Sequence, residues 1–276
     1  GNTKSVFPSK GIPETEEDPA PDSLMILVVE DNTQICEYIT SSLSQDYLII
    51  TAENGKKGLL QAQEKVPNII ISDILMPEMD GIEFCRLVKN DIRTSHIPVI
   101  LLTARDSILD KEKGYESGAD SYITKPFSIS LLRGRIQNLL DNRRRLANQV
   151  ISDTKGVNSL NKILRNTLDE EFLSKLTNFI LENIDDPQLD VPLLAKKINM
   201  NYSAFYRKVK ALTGLSPNEF IRKVKVKKSA ELLLAGPYNI SEVAYMTGFN
   251  DVPYFRRCFK EEYGMAPSEY IKKMNS

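Results

Sequence analysis

Ile69-Ile70-Ile71-Ser72-Asp73-Ile74-Leu75-Met76-Pro77-Glu78-Met79-Asp80-Gly81 is the stretch that decides the fold. Its unbroken apolar start reads as a strand buried on both faces. That strand delivers one carboxylate, Asp73, to its C-terminal end, and Pro77 and Gly81 mark the turn beyond. The design recurs on both sides. The apolar run 24–29 ends in Glu30-Asp31, the run 99–102 ends in Thr103, and the short strand 120–123 precedes Lys125. A further strand is expected at 47–51. Amphipathic stretches at 32–44, 55–65, 82–90, 106–117 and 128–140 read as the helices between. Short apolar runs alternating with such helices predict a doubly wound parallel sheet, and ligands of such sheets bind beyond the C-terminal strand ends.

Bulk properties bound the rest. The chain has 276 residues, 41% of them hydrophobic, enough for two domains. No run approaches the roughly 18 apolar residues of a membrane-spanning helix. Cys36, Cys85 and Cys258 are scattered and suggest neither a disulfide framework nor a zinc site; the single histidine, His96, excludes a histidine-rich metal site. Acidic residues outnumber basic ones over 1–150, and the balance reverses over 170–276. That asymmetry suits an acidic regulatory half and a nucleic-acid-facing half. The expected organisation is a flexible leader at 1–23, an α/β domain at 24–140, a linker at 141–169 and an all-α domain at 170–276. The start at Gly1 suits a piece of a longer chain. Arg143-Arg144-Arg145 reads as a solvated helix end, with an extension of the last helix or a contact with DNA as the alternatives.

The all-α half contains two units of one design. A short helix at 191–198, a turn at Asn199-Met200-Asn201 and a helix at 203–212 form the first. A helix at 240–246, a turn at 247–250 and a helix at 251–263 form the second. Each is a helix-turn-helix pattern. Each leaves through the same phrase, Gly214-Leu215-Ser216-Pro217-Asn218-Glu219-Phe220 and Gly264-Met265-Ala266-Pro267-Ser268-Glu269-Tyr270: glycine stops one helix and proline opens the next. Major-groove readout needs long polar side chains on the second helix of each unit. Ser203, Tyr206, Arg207 and Lys210 offer them in the first, and Arg256, Arg257 and Lys260 in the second, with Asp251 as a helix cap or a base contact. On the connecting helix, 217–234, some of the five cations between Arg222 and Lys228 are expected to reach phosphates.

At the strand ends, Glu30, Asp31 and Asp73 bring three carboxylates together. They repel unless a hard divalent cation such as Mg²⁺ neutralises them. Asp73 is then a nucleophile toward phosphorus and yields an acyl phosphate. Lys125 offers positive charge to one phosphoryl oxygen and Thr103 a hydroxyl to another.

Residues 24–140 resemble a response-regulator receiver domain, on Glu30-Asp31, the Asp73-to-Gly81 segment, Leu102-Thr103-Ala104 and Lys125-Pro126-Phe127. The resemblance implies a flavodoxin-like fold of strand order 2-1-3-4-5. It implies phosphoryl transfer to Asp73 from a sensor histidine kinase, and Mg²⁺ held by Asp31, Asp73 and the Leu75 carbonyl, with Glu30 acting through water. It also implies a cis Lys125–Pro126 bond and Thr103 and Tyr122 as the switch pair. The domain would be no conventional enzyme, catalysing only phosphoryl acceptance and slow autodephosphorylation. Residues from about 170 to 273 resemble an AraC-type DNA-binding domain, on Leu194-Ala195 with Ile198, Phe205-Tyr206-Arg207-Lys208, Ile240-Ser241-Glu242-Val243-Ala244, Gly248-Phe249 and Pro267-Ser268-Glu269-Tyr270. Together the halves resemble the C-terminal part of hybrid two-component regulators of polysaccharide utilisation, a cytoplasmic portion of a membrane-anchored sensor; a stand-alone regulator is the alternative. Expected partners are double-stranded promoter DNA, the kinase domain and a second copy of the phosphorylated chain. RNA polymerase is open as a further partner, and no membrane contact is expected of this segment. Two rivals stand beside the phosphorylation-dependent regulator: a constitutive DNA binder whose receiver recruits partners, and a phosphotransfer or docking module without regulated DNA binding.

Overall fold

The computed structural model describes residues 24–104, 118–152, 167–186 and 189–275. The expected leader at 1–23, the helix at 106–117 and the linker stretch 153–166 lie outside the described residues. Five parallel strands form one sheet in the order β2-β1-β3-β4-β5. They are β1 Met25–Val29, β2 Leu48–Ala52, β3 Ile69–Asp73, β4 Val99–Thr103 and β5 Ser121–Thr124. The strands β1, β3 and β4 are buried along their whole length, as their unalternating sequences require, and β2 is the half-exposed edge. This is the expected flavodoxin-like sheet.

Helices α1 Thr33–Leu43, α2 Gly55–Lys65, α3 Gly81–Asn90 and α4 Ile129–Ser152 accompany it. One apolar layer joins Ile26, Val28, Ile71 and Ile100 to Ile39 of α1 and to Leu132 and Ile136 of α4. The other joins Leu27, Val29, Ile70 and Leu101 to Phe84 and Val88 of α3, and continues into the helical half through Phe172, Phe205 and Val209. The sequence reading ended α4 at residue 140. It runs on to Ser152, because no proline follows and Leu140 and Ala147 keep a buried stripe. Arg143, Arg144 and Arg145 therefore stand on a helix that packs against the helical half.

That half comprises α5 Thr167–Glu182, α6 Val191–Lys197, α7 Tyr202–Thr213, α8 Pro217–Ala235, α9 Ile240–Met246, α10 Val252–Tyr263 and α11 Pro267–Met274. Asn201 and Asp251 cap α7 and α10 by accepting from the backbone N–H groups of Ala204 and Tyr254. Gly214 and Gly264 close both helices in the left-handed region, at φ +70° and +71°. The two inner turns also correspond: Asn199 takes φ +57° where Gly248 takes +69°, and each is followed by an N–H donated back to the alanine carbonyl of the preceding helix. No described helix is long and apolar enough to cross a membrane.

Candidate functional site

Parallel register sets Asp73 beside Leu102, one residue short of the end of β4, and Val29 beside Ser72. The carboxylates of Glu30, Asp31 and Asp73 converge so that their ligand oxygens all lie within 4.8 Å of one another. Glu30 and Asp73 are buried and Asp31 is exposed, so the cluster opens to solvent on one side. Lys125 Nζ stands 2.9 Å from Glu30 Oε2 and 3.0 Å from Asp73 Oδ2. The peptide bond that follows, Lys125–Pro126, is cis. Asp73 Oδ1 accepts from the Ile74 N–H at 2.9 Å, which leaves Oδ2 toward the lysine. Burial pushes the Glu30 carboxyl up, the Lys125 hydrogen bond opposes that, and the Asp73 charge adds to it.

Beyond Asp73 the chain folds back tightly. A Cβ on Gly81 would stand 2.0 Å from the Asp73 carbonyl oxygen, so only glycine fits the first position of α3. Leu75 lies in the bend between, with its side chain exposed. Thr103 is buried at the end of β4, its hydroxyl donating to the Ala104 carbonyl at 3.2 Å. Tyr122 of β5 is half-buried against the layer shared with α3. The all-oxygen donor set fits a hard divalent cation such as Mg²⁺, since one ammonium leaves three carboxylates underneutralised.

The two helix-turn-helix units are presented differently. In α10, Arg256, Arg257 and Lys260 are exposed, and Phe255 and Phe259 face the core. The α7 helix instead packs along α4 and touches α2. Tyr206 is only 4% exposed, and Ser203, Arg207 and Lys210 are half-buried. Arg207 Nη1 donates to the Lys65 carbonyl at 2.5 Å, and Asn201 Nδ2 to the Glu64 carbonyl at 3.0 Å, both at the end of α2. Several cations of α8 are also engaged: Lys223 pairs with Glu262 at 2.6 Å, Lys225 donates to the Gly248 carbonyl at 3.3 Å, and Lys227 is buried.

Comparison with known proteins follows this division. Residues 26–137 match the family described as response regulator receiver domain, and residues 194–273 match the family described as helix-turn-helix domain. The chain joins a receiver domain to a helix-turn-helix domain. Histidine kinase P4 of Formosa agariphila is 42% identical over 245 residues, which cover 89% of this chain and 18% of that protein. Heme response regulator HssR of Staphylococcus epidermidis is 38% identical over 136 residues, 46% of this chain and 59% of that one. The DNA-binding dual master transcriptional regulator RpaA of a Synechocystis species is 37% identical over 116 residues, 42% and 48% of the two chains. The chain thus spans less than two thirds of each of these relatives. The expected AraC-type label is corrected: the matching family is described as a helix-turn-helix domain, without that subtype. The motifs on which that label rested form the helices, turns and caps of the two helix-turn-helix units, which the broader family description also covers.

Between receiver and helix-turn-helix domain lies a cluster that the sequence reading missed. Lys208 Nζ sits 2.8 Å from Asp169 Oδ1, 3.2 Å from His96 Nδ1 and 3.4 Å from Ser95 Oγ, and Ser95 Oγ donates to Asp169 Oδ1 at 2.7 Å. All four side chains are buried. The Phe172 ring lies 4.8 Å under the ammonium. Burial pushes the Lys208 ammonium down, with Asp169 pulling the other way. Burial first, and then the Lys208 charge, push His96 well below its ordinary value. No local signal marked these residues: Lys208 reads as one more cation of a basic helix.

Proposed function

We propose that this protein is a DNA-binding regulator switched by phosphorylation of Asp73, with 24–140 as the regulatory domain and 170–276 as the DNA-binding domain. The observation that carries the reading is the convergence of Glu30, Asp31, Asp73 and Lys125 at the C-terminal edge of a sheet whose helical partner holds two helix-turn-helix units. An Asp73 carboxylate oxygen attacks the phosphorus of a kinase phosphohistidine, the P–N bond breaks, and the imidazole leaves. Lys125, already beside Asp73, meets the negative charge of the phosphoryl oxygens, and Thr103 offers its hydroxyl. Asp31 and Asp73, the Leu75 carbonyl and Glu30 through water are the proposed Mg²⁺ ligands; the ion, when bound, lowers repulsion between carboxylate and phosphoryl group. Water later hydrolyses the acyl phosphate slowly. Tyr122 is the proposed partner of Thr103 in the switch.

In the conformation seen here α7 lies on α4 and α2, while α10 stands open. Phosphorylation would release α7, so that Ser203, Tyr206, Arg207 and Lys210 join Arg256, Arg257 and Lys260 on DNA, and would favour a homodimer on repeated promoter sites. The α4 helix offers the route: it begins just after Lys125–Pro126, runs 24 residues, about 36 Å, and packs against α7. Genes of polysaccharide utilisation are the proposed targets, on sequence resemblance alone. The test is DNA affinity and solution mass with and without beryllofluoride plus Mg²⁺. Both should rise in the wild type and neither in Asp73→Ala. Tight binding that is the same in all four samples would instead favour the constitutive rival.

A further inference from the structure

The connecting helix α8 carries five cations between Arg222 and Lys228, the run that the sequence offers as phosphate contacts. The structure turns them inward instead. Arg222, Lys225 and Ser229 fall at i, i+3 and i+7, one stripe of a helix, and that stripe meets the second helix-turn-helix unit. Ser229 Oγ lies 2.8 Å from Thr247 Oγ1, and Lys225 Nζ donates to the adjoining Gly248 carbonyl at 3.3 Å, so α8 holds the inner turn of the unit. Arg222 Nη1 reaches the Tyr254 hydroxyl at 3.5 Å, in the first turn of α10. Lys223 takes the last turn: its Nζ stands 2.6 Å from Glu262 Oε1 and 2.7 Å from Oε2. Lys227 is buried, and Lys228 pairs with Glu231 of its own helix at 3.0 Å.

Whereas α7 lies at the seam with the receiver, α10 stands open. Tyr254, Cys258 and Glu262 recur along it at every fourth residue, the spacing of one helix face, and that face is turned to α8. Arg256 and Lys260 lie two residues on either side of Cys258, hence on the far side of α10, and both are exposed. The Arg257 guanidinium stands 5.1 Å from the centre of the Tyr254 ring, which Arg222 touches from behind. The side chains of Lys223 and Glu262 are only 9% and 18% exposed. An ammonium shared by both oxygens of such a carboxylate cannot turn to a phosphate without leaving that carboxylate unpaired.

We propose that Lys223 and Glu262 are positioning residues for DNA recognition. The pair fixes the roll of α10 on α8, and with it the direction of Arg256, Arg257 and Lys260; Lys223 itself touches no phosphate. The proposal rests on the DNA-binding role proposed for the helical half. It differs in sign from a reading by charge alone. Glu262→Gln removes a negative charge from a net basic domain. By charge alone every duplex would then be bound more tightly. A misset α10 loses its base contacts, which only the preferred sequence supplies.

The experiment uses the full chain with beryllofluoride and Mg²⁺. Its probes are a duplex that the wild type enriches from a random pool and a scrambled duplex of equal length. Glu262→Gln, close to the native side chain in shape, should bind the enriched duplex at least fivefold more weakly and the scrambled one no more weakly. Lys223→Gln should lower the ratio of the two affinities in the same way and keep its salt slope on the scrambled duplex, where a lost phosphate contact would flatten that slope by about 0.9. The exchanged pair, Lys223→Glu with Glu262→Lys, should recover most of the ratio, which a general loss of folding would not. Tighter or unchanged binding of the enriched duplex by Glu262→Gln, or a flattened slope in Lys223→Gln, overturns the proposal. So does an exchanged pair that melts like the wild type and recovers nothing. A wild type that enriches no duplex overturns the DNA-binding role, and this proposal with it.

Discussion

Lys208 shows how far a residue's role depends on contacts distant in sequence. Its partners Asp169, Ser95 and His96 lie 39, 113 and 112 residues away. No pattern along the chain could have joined them. A fully buried ammonium is tolerable only because the Asp169 carboxylate meets it. Removing one partner strands the other charge in the core. Asp169→Ala should therefore cost about 3–5 kcal/mol in urea unfolding. Replacing both residues, as in Lys208→Met with Asp169→Leu, should cost clearly less, because no uncompensated charge is left. Equal losses in the single and double variants would mean that packing, not charge, dominates here. The acidic residues Glu30, Asp31 and Asp73 were legible for the opposite reason. Asp73 ends β3, Glu30 and Asp31 are the two residues after β1, and the strands announce themselves as local apolar runs.

At the scale of elements, the patterns along the chain located every described strand to within about two residues. Helix ends were legible where a chemical stop exists, as at Gly214 and Gly264. They failed at α4, which packs against α7, a contact invisible to periodicity. The two inner turns give a direct comparison. Asn199 and Gly248 share a left-handed backbone, but the space around them differs. A Cβ at Gly248 would lie 2.2 Å from the Ile184 carbonyl oxygen, and Asn199 already carries one. Asn199→Ala should cost about 1 kcal/mol, the ordinary penalty for alanine in that region, and Asn199→Gly should be close to neutral. Gly248→Ala should cost more than Asn199→Ala, since a steric collision with backbone adds to the conformational penalty. Thermal melts of the three variants read the order directly.

For the whole molecule, the seam carries a pH dependence whose sign follows from burial. His96 is the only histidine of the chain, so its titration can be assigned without ambiguity. It faces Lys208 directly, and the charges of Arg143 and Lys89 reach it; Asp169 faces the same group through Lys208 and Ser95. The folded chain keeps this imidazole neutral, its affinity for protons well below the ordinary value. The unfolded chain takes up a proton near pH 6.5. As pH falls below about 6.5 the unfolded state therefore binds the extra proton first, and this contribution to stability drops by up to about 1.4 kcal/mol per pH unit until the folded imidazole titrates. Above that point the contribution is complete. Once the imidazole is protonated, the new charge stands beside Lys208, and repulsion across the seam favours separation of α7 from the receiver. Hydrogen exchange in α7 and in the last turns of α4 should accordingly quicken between pH 6.5 and 5 more than exchange in β1 and β3. His96→Gln should flatten both the stability slope and this difference over the same window. If the variant keeps the full slope, the acid sensitivity belongs to the carboxylates and the seam is not its origin.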